Sequence, residues 1–349
     1  MSDISIRVEG RAGRITLTRP RALNALTYDM ARTIDETLAL WAHDPAVALV
    51  LIDGEGDRAF CAGGDVREIY DRGRIGDFHY ARRFWSDEYR MNALIAGFPK
   101  PYVALAHGLV MGGGVGISVH GSHRVVCETS RIAMPECAIG LVPDVGGTAV
   151  LAAAPGRLGE YLGLTGHQME PGDAIRAGFA DHFVARADWP GLVAALVETG
   201  DPAAIASVET PAPADRLSAR ADAIDDAFSA PDLATLIARL ETSDWGHEVL
   251  GVLRGKSPLS LACTLELVRA ARSVPGIDAA LRREYRCTWR CISDGDLLEG
   301  IRAQVIDKDR APRWQDPIDG VTAARVAAML APLDADELVL PADQAAARI

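Results

Sequence analysis

The chain has 349 residues, a formal charge of -12, 49% apolar residues and 24% charged ones. That balance belongs to an ordered protein with a sizeable core and excludes the disordered and fibrous classes, while the length suggests one large unit plus a smaller one. The net negative charge repels polyanions, so nucleic acid is not expected as a partner, and a phosphate-bearing ligand would need a locally basic patch.

No stretch approaches the ~20 apolar residues of a membrane span. Met1 to Gly10 alternates polar and apolar residues without a basic cap, so no membrane partner and a cytoplasmic location are expected. The six cysteines form no CxxC and no other ligand spacing. Cys287 and Cys291 are four apart, and Cys127 and Cys137 flank a turn, but no clustered histidines accompany them. Reduced, packed thiols and no metal follow.

In chain order, short apolar strands are expected at Ile4 to Val8 and Arg14 to Thr18, then an amphipathic helix from about Tyr28 and a buried strand at Val47 to Asp53. The rhythm returns with a helix at Arg82 to Ala96, a strand at Tyr102 to Ala106, a Gly-rich helix start at Gly112 and a strand at Arg124 to Cys127. This alternation is α/β. The segment Glu209 to Asp215, ETPAPAD, reads as a linker. Beyond it strand signals fade, and Leu233 to Leu240, Leu259 to Ala271 and Ala279 to Arg290 carry apolar residues at helical spacing. The expected organisation is a core over 1–208 and a helical region over 209–349 that covers the site.

Three glycine-bearing segments stand at the ends of successive predicted strands: FCAGGD at Phe60 to Asp65, MGGGVG at Met111 to Gly116, and MPECAIGLVPDVGG at Met134 to Gly147. Strand ends are where α/β sites form. Glycine lets a backbone approach a ligand closely, and an amide at the first turn of a helix is an unpaired donor, so two such turns together suit an oxyanion. Each segment alone reads as a tight turn or close helix packing. Glu136 and Asp144 shift the balance, because they lie eight residues apart in a Gly- and Pro-punctuated loop of apolar surroundings.

These three segments resemble the signature segments of the crotonase, or enoyl-CoA hydratase/isomerase, superfamily, and within it the 3-hydroxyisobutyryl-CoA hydrolase branch. The likeness extends through ALNAL at Ala22 to Leu26, GEYLGLTG at Gly159 to Gly166, RAGFADHFV at Arg176 to Val184, SPLSL at Ser257 to Leu261 and DLLEGIRAQVIDKDRAPRW at Asp296 to Trp314. It implies a repeated ββα core. It also implies that the amides of Gly64 and Gly113 form an oxyanion hole for a thioester carbonyl, each donor typically worth ~3 to 4 kcal/mol in the transition state. Glu136 matches the catalytic glutamate, Asp144 the acidic residue of the hydrolase branch, and Glu88 a substrate-contacting glutamate. Glu136 would attack the carbonyl to give a mixed anhydride or else activate water, with Asp144 assisting proton transfer.

The hydratase pattern places a second glutamate two residues after the glycine triplet; here that position is Gly116. The resemblance therefore implies hydrolysis of a short β-hydroxyacyl-CoA, 3-hydroxyisobutyryl-CoA first, as in valine catabolism. The alternatives are an enoyl-CoA hydratase/isomerase and an inactive acyl-CoA-binding scaffold. Coenzyme A is part of the substrate and no cofactor is implied. For its binding, Arg21 beside ALNAL and Arg58 and Arg67 around FCAGGD are candidates for the phosphates, each read singly as a solvated arginine first, and Ala22 of ALNAL with Cys61, Ala62 and Gly63, the strand edge that reads adenine in the superfamily, are candidates for the rest. The superfamily's trimers leave room for a homo-oligomer.

Other signals fall away. GEGDRA at Gly54 to Ala59 matches a dinucleotide pattern, but Gly63 and Gly64 interrupt the helix such a site requires. GVLRGKS at Gly251 to Ser257 is one residue short of a P-loop and lies in the helical half. Ser118, His120, Ser122 and His123 lack a nucleophile elbow, and His107 reads as a satisfied structural residue.

Overall fold

A computed structural model describes residues 3–341 and 343. The chain divides into two units, both discontinuous. The first takes the chain up to Gly64, then Arg90–Ala133 and Gln168–Arg216; the second takes Asp65–Tyr89, Met134–His167 and the chain from Leu217 onward. The expected cut at 208/209 lies close to the last crossing, while two earlier segments group with the C-terminal residues.

The first unit holds every strand of the described residues: β1 (Ile4–Glu9), β2 (Ala12–Leu17), β3 (Leu49–Gly54), β4 (Ala59–Cys61), β5 (Tyr102–Ala106), β6 (Leu109–Met111), β7 (His123–Val126), β8 (Arg131–Ala133) and β9 (His182–Phe183). They form a six-stranded sheet ordered β1-β2-β3-β5-β7-β9 and a three-stranded sheet ordered β4-β6-β8. Only β1 and β2 pair antiparallel. From β3 on, consecutive strands alternate between the sheets, so β3-β4, β5-β6 and β7-β8 repeat one ββ unit, each followed by helical residues. This is the repeated ββα core expected from the resemblance.

Parallel strands are covered on both faces and read as apolar runs. Side chains alternate by two, so Leu49 and Leu51, Val103 and Leu105, and Val125 and Cys127 line one cluster, closed by Trp189, Leu192 and Leu196 of helix Trp189–Thr199. Helix Tyr28–Trp41 starts on Thr27, whose side chain accepts from the Met30 amide, and it buries the stripe Met30, Ile34, Leu38 and Trp41. Gly13 makes room for Trp41: a β-carbon there would stand 2.5 Å from the indole.

The expected strands and long helices are present, two of them at their expected bounds and the rest with bounds moved by at most four residues. Four short strands, β4, β6, β8 and β9, have no counterpart among the expected elements, nor has helix Val66–Gly73. In the second unit, helix Pro258–Ser273 begins on Ser257 with proline at its first position and is buried nearly all round, from Leu259 to Ala271. Helices Gly147–Ala153, Leu158–Thr165 and Ile277–Cys291 pack against it. Among the described residues no helix is long and apolar enough to cross a membrane.

Candidate active site

In the first unit, β4 and β6 are parallel neighbours, with Cys61 opposite Val110, so the turns that follow them leave from the same end of the sheet. Gly63 takes φ +110° and Gly112 takes φ +48°, conformations that a β-carbon opposes. At Gly114 a β-carbon would lie 2.2 Å from the Cys61 carbonyl oxygen, so glycine there is what lets the two turns close on each other. Gly64 differs: a β-carbon would meet nothing within 4 Å, so the side-chain direction there is open. Gly113 is the first residue of the short helix Gly113–Gly116, and the amide at such a position has no intrahelical acceptor.

The ALNAL turn lies along the same edge. Leu23 and Asn24 are both left-handed, and buried Asn24 supports the turn by accepting from the Arg19 amide at 2.9 Å and donating to the carbonyls of Glu55 at 3.0 Å and Ala59 at 2.9 Å. The Ala62 amide donates to Leu23 at 3.0 Å, and Leu26 donates to Gly63 at 2.8 Å. Arg21, Ala22, Cys61, Ala62 and Gly63 are thereby brought together in one unit, with Arg21 exposed and Cys61 buried. Arg58 and Arg67 are both exposed.

The acids belong to the second unit. Glu136 opens the 3-10 turn Glu136–Ile139, closed by the Leu141 amide donating to the Glu136 carbonyl at 3.1 Å. Two glycines let the turn seat tightly: β-carbons at Gly140 and Gly300 would lie 2.5 Å from the Asp296 backbone and 2.2 Å from the Ile139 backbone. Buried Asp296 accepts from the Ser257 hydroxyl at 2.6 Å, and the Ser257 amide donates to the Cys137 carbonyl at 2.9 Å. The SPLSL and DLLEG segments are thus the frame of the glutamate turn.

Asp144 precedes Val145 at φ +53° and Gly146 at φ +79°. A left-handed β-branched residue is a strained one, and it holds only where its surroundings over-determine it. The Tyr89 hydroxyl donates to Asp144 Oδ2 at 2.7 Å and also contacts Thr288 Oγ1 at 3.4 Å. Glu88 is 4% exposed, and Glu136 and Asp144 are each 5% exposed. Glu88 Oε1 and Glu136 Oε2 have no hydrogen-bond partner among the described residues, which leaves both free for a ligand.

Burial pushes the Glu136 carboxyl well above the usual carboxylate range, and the Asp144 charge pushes it further. Glu88 rises for the same two reasons. Burial also lifts Asp144, to about 7, against the pull of the Tyr89 hydroxyl that favours its ionised form. Lys256 is held below its ordinary value by burial, while Cys137 and Glu136 favour its charged form. Of these carboxyls Asp144, at about 7, exchanges its proton near neutrality, which is the requirement for acid-base work there.

A sequence model of the enoyl-CoA hydratase/isomerase family matches residues 12–330. The chain belongs to that family. Within the family, it is 42% identical over 318 residues to a mitochondrial 3-hydroxyisobutyryl-CoA hydrolase of Xenopus tropicalis, covering 87% of this chain and 82% of that protein. A crystal structure of an enoyl-CoA hydratase from Rhodobacter sphaeroides 2.4.1 is 54% identical, with TM-score 0.93 over 97% of this chain and 100% of that one. A carnitinyl-CoA dehydratase from Mycobacterium thermoresistibile is 42% identical, also with TM-score 0.93, over 98% and 99%. The crotonase fold is therefore shared over nearly the whole length, while the family members carry the names of three different reactions.

Four polar residues around the acids escaped the sequence reading: Tyr89, Thr148, Glu284 and Thr288. A signal existed for Glu284. It falls on the buried stripe of Ala280, Leu281, Cys287, Thr288 and Cys291, where a carboxylate is out of place unless it has partners. A separate cleft of 460 Å³ among Leu233, Ala262, Leu265, Val321, Val326 and Leu330 contains none of the site residues expected from sequence.

Proposed function

We propose that the chain hydrolyses a short β-hydroxyacyl-CoA thioester, 3-hydroxyisobutyryl-CoA first, to 3-hydroxyisobutyrate and CoA. The observation that carries this reading is the buried pair Glu136 and Asp144, both raised by burial and Glu136 raised further by the Asp144 charge, set against a buried glycine, Gly116, where the hydratase pattern has its second acid. Addition of water across a double bond needs two carboxylates on one water; cleavage of a thioester needs a nucleophile or base and a proton for the departing sulfur.

In this reading the amides of Gly64 and Gly113 hold the thioester oxygen as it gains charge. Ionised Glu136 either attacks the acyl carbon, breaking the C–S bond to leave a mixed anhydride that water then opens, or takes a proton from the water that attacks. In both routes protonated Asp144 gives its proton to the leaving thiolate and regains one from the water consumed. Glu88 contacts the substrate, and the edge of Arg21, Ala22, Cys61, Ala62 and Gly63 takes the CoA moiety. No cofactor enters. The role in valine catabolism and the cytoplasmic location belong to the same reading; the Xenopus relative is named as mitochondrial.

The test is release of free thiol from 3-hydroxyisobutyryl-CoA beside loss of the conjugated absorbance of crotonyl-CoA. Turnover of the first and near silence on the second is expected. The opposite result moves the protein to the hydratase reading, for which the 54% identical enoyl-CoA hydratase speaks. Tight CoA binding without turnover of any short acyl-CoA marks a scaffold.

A further inference from the structure

Glu284 is fully buried in helix Ile277–Cys291, yet it is not idle. Its Oε2 accepts from the Gly146 amide at 2.7 Å, and its Oε1 accepts from the Thr148 amide at 2.9 Å and the Thr148 hydroxyl at 2.5 Å. One turn further along the same helix, Thr288 Oγ1 meets the Tyr89 hydroxyl that donates to Asp144. One helix face thus brackets Asp144 twice, through the backbone just after it and through the hydroxyl that touches it.

We propose that Glu284 is a positioning residue for the reaction, acting through Asp144 by clamping the strained turn that presents its carboxyl. This rests on the hydrolase reading. The turn needs such a clamp: Val145 sits left-handed at φ +53°, and without an anchor on Gly146 and Thr148 it would relax and carry Asp144 with it. Both Glu284 oxygens accept, which a carboxylate can do for all three donors and an amide cannot, and the buried carboxylate also leaves a charge beside the acids. The groups coupled to that charge are Asp144, Glu136, Tyr89 and, on its own helix, Arg283. Burial lifts Glu284 itself to about 7, against the pull of Thr148 and Gly146. Where it is ionised, it raises Glu136 and so delays the ionisation that makes Glu136 a nucleophile or base.

Glu284→Gln separates clamp from scaffold. Its amide group turns a donor toward one of three donors, so kcat should fall ~30-fold or more with KM within about twofold. Loss of the anion should also move the acidic limb of the kcat profile to lower pH, whereas Glu284→Asp, which keeps the charge and loses reach, should lower kcat and leave the limb in place. A folded Glu284→Gln with wild-type kcat, or with lowered kcat and an unmoved limb, overturns the proposal. Should Glu284→Gln not fold, Thr148→Val removes one bond of three and should cost several-fold in kcat; no loss overturns it equally. Amide exchange at Gly146 and Thr148 reads the clamp without turnover. If wild type releases no thiol while exchange quickens in the variant, the hydrolase reading alone fails; unchanged exchange sinks the clamp.

Discussion

The two units use opposite means. In the first, the features that bear on a ligand are backbone, with Gly63, Gly64, Gly112 and Gly114 shaping two turns at the ends of neighbouring parallel strands. In the second they are side chains, namely Glu88, Glu136, Asp144 and Glu284, all buried and all lifted toward protonation. Backbone donors have a fixed charge and can be damaged only by bulk. Carboxyls can be tuned, and their burial is a standing cost that a fold bears only for a purpose. Substitutions in the two regions should therefore fail in different ways.

The largest effect is expected at the acids. Glu136→Gln and Asp144→Asn should each reduce kcat by ~10²-fold or more with the circular dichroism spectrum unchanged, as near-isosteric changes to reacting groups do. Wild-type rates in both would end the mechanism. Among the glycines a split should appear. Gly64→Ala places its methyl in open space and should keep wild-type Tm, while on the proposed role of its amide at the thioester oxygen the added bulk should cost roughly tenfold or more in kcat. Gly114→Ala drives a methyl onto the Cys61 carbonyl and should cost roughly 3 kcal/mol of stability in a melt, whatever its rate. Equal outcomes for the two would erase the contrast.

A smaller effect concerns pH. Asp144 and Glu284 go from ordinary values of 3.8 and 4.5 to about 7 in the folded chain, so over that window the native state binds more protons than the unfolded one. Their contribution to stability is fully present below the unfolded values and is lost as pH rises through about 7. Thermal melts should show Tm declining over that interval, with Asp144→Asn flattening the decline and melting higher than wild type at pH 8. An inactive variant that is more stable is the mark of an acid kept for chemistry. The smallest expected effect is that of a chelator, which should leave the rate unchanged.

Much of the fold was legible because long elements bury one periodic face. Strand Tyr102–Ala106 and helix Leu233–Leu240 were placed at their observed bounds from apolar spacing alone. The strands β4, β6 and β8 were not, since three residues span too little of any period and glycines flank β6 on both sides. At the site, Glu136 and Asp144 stood out by their loop and by resemblance. Tyr89 and Glu284 did not, for they approach Asp144 and its turn across 55 and 138 residues of chain, and only folding makes those neighbours.

One last consequence follows from the cysteines. None of the six is in a disulfide, and all are buried, none more than 3% exposed. A catalyst of the proposed reaction liberates a mercaptan at every cycle, and surface sulfhydryls would be captured by any oxidised form of that product. Here the native protein offers such a product no sulfur to exchange with, and a colorimetric sulfhydryl reagent would report the chemistry against a flat background until the fold itself opens.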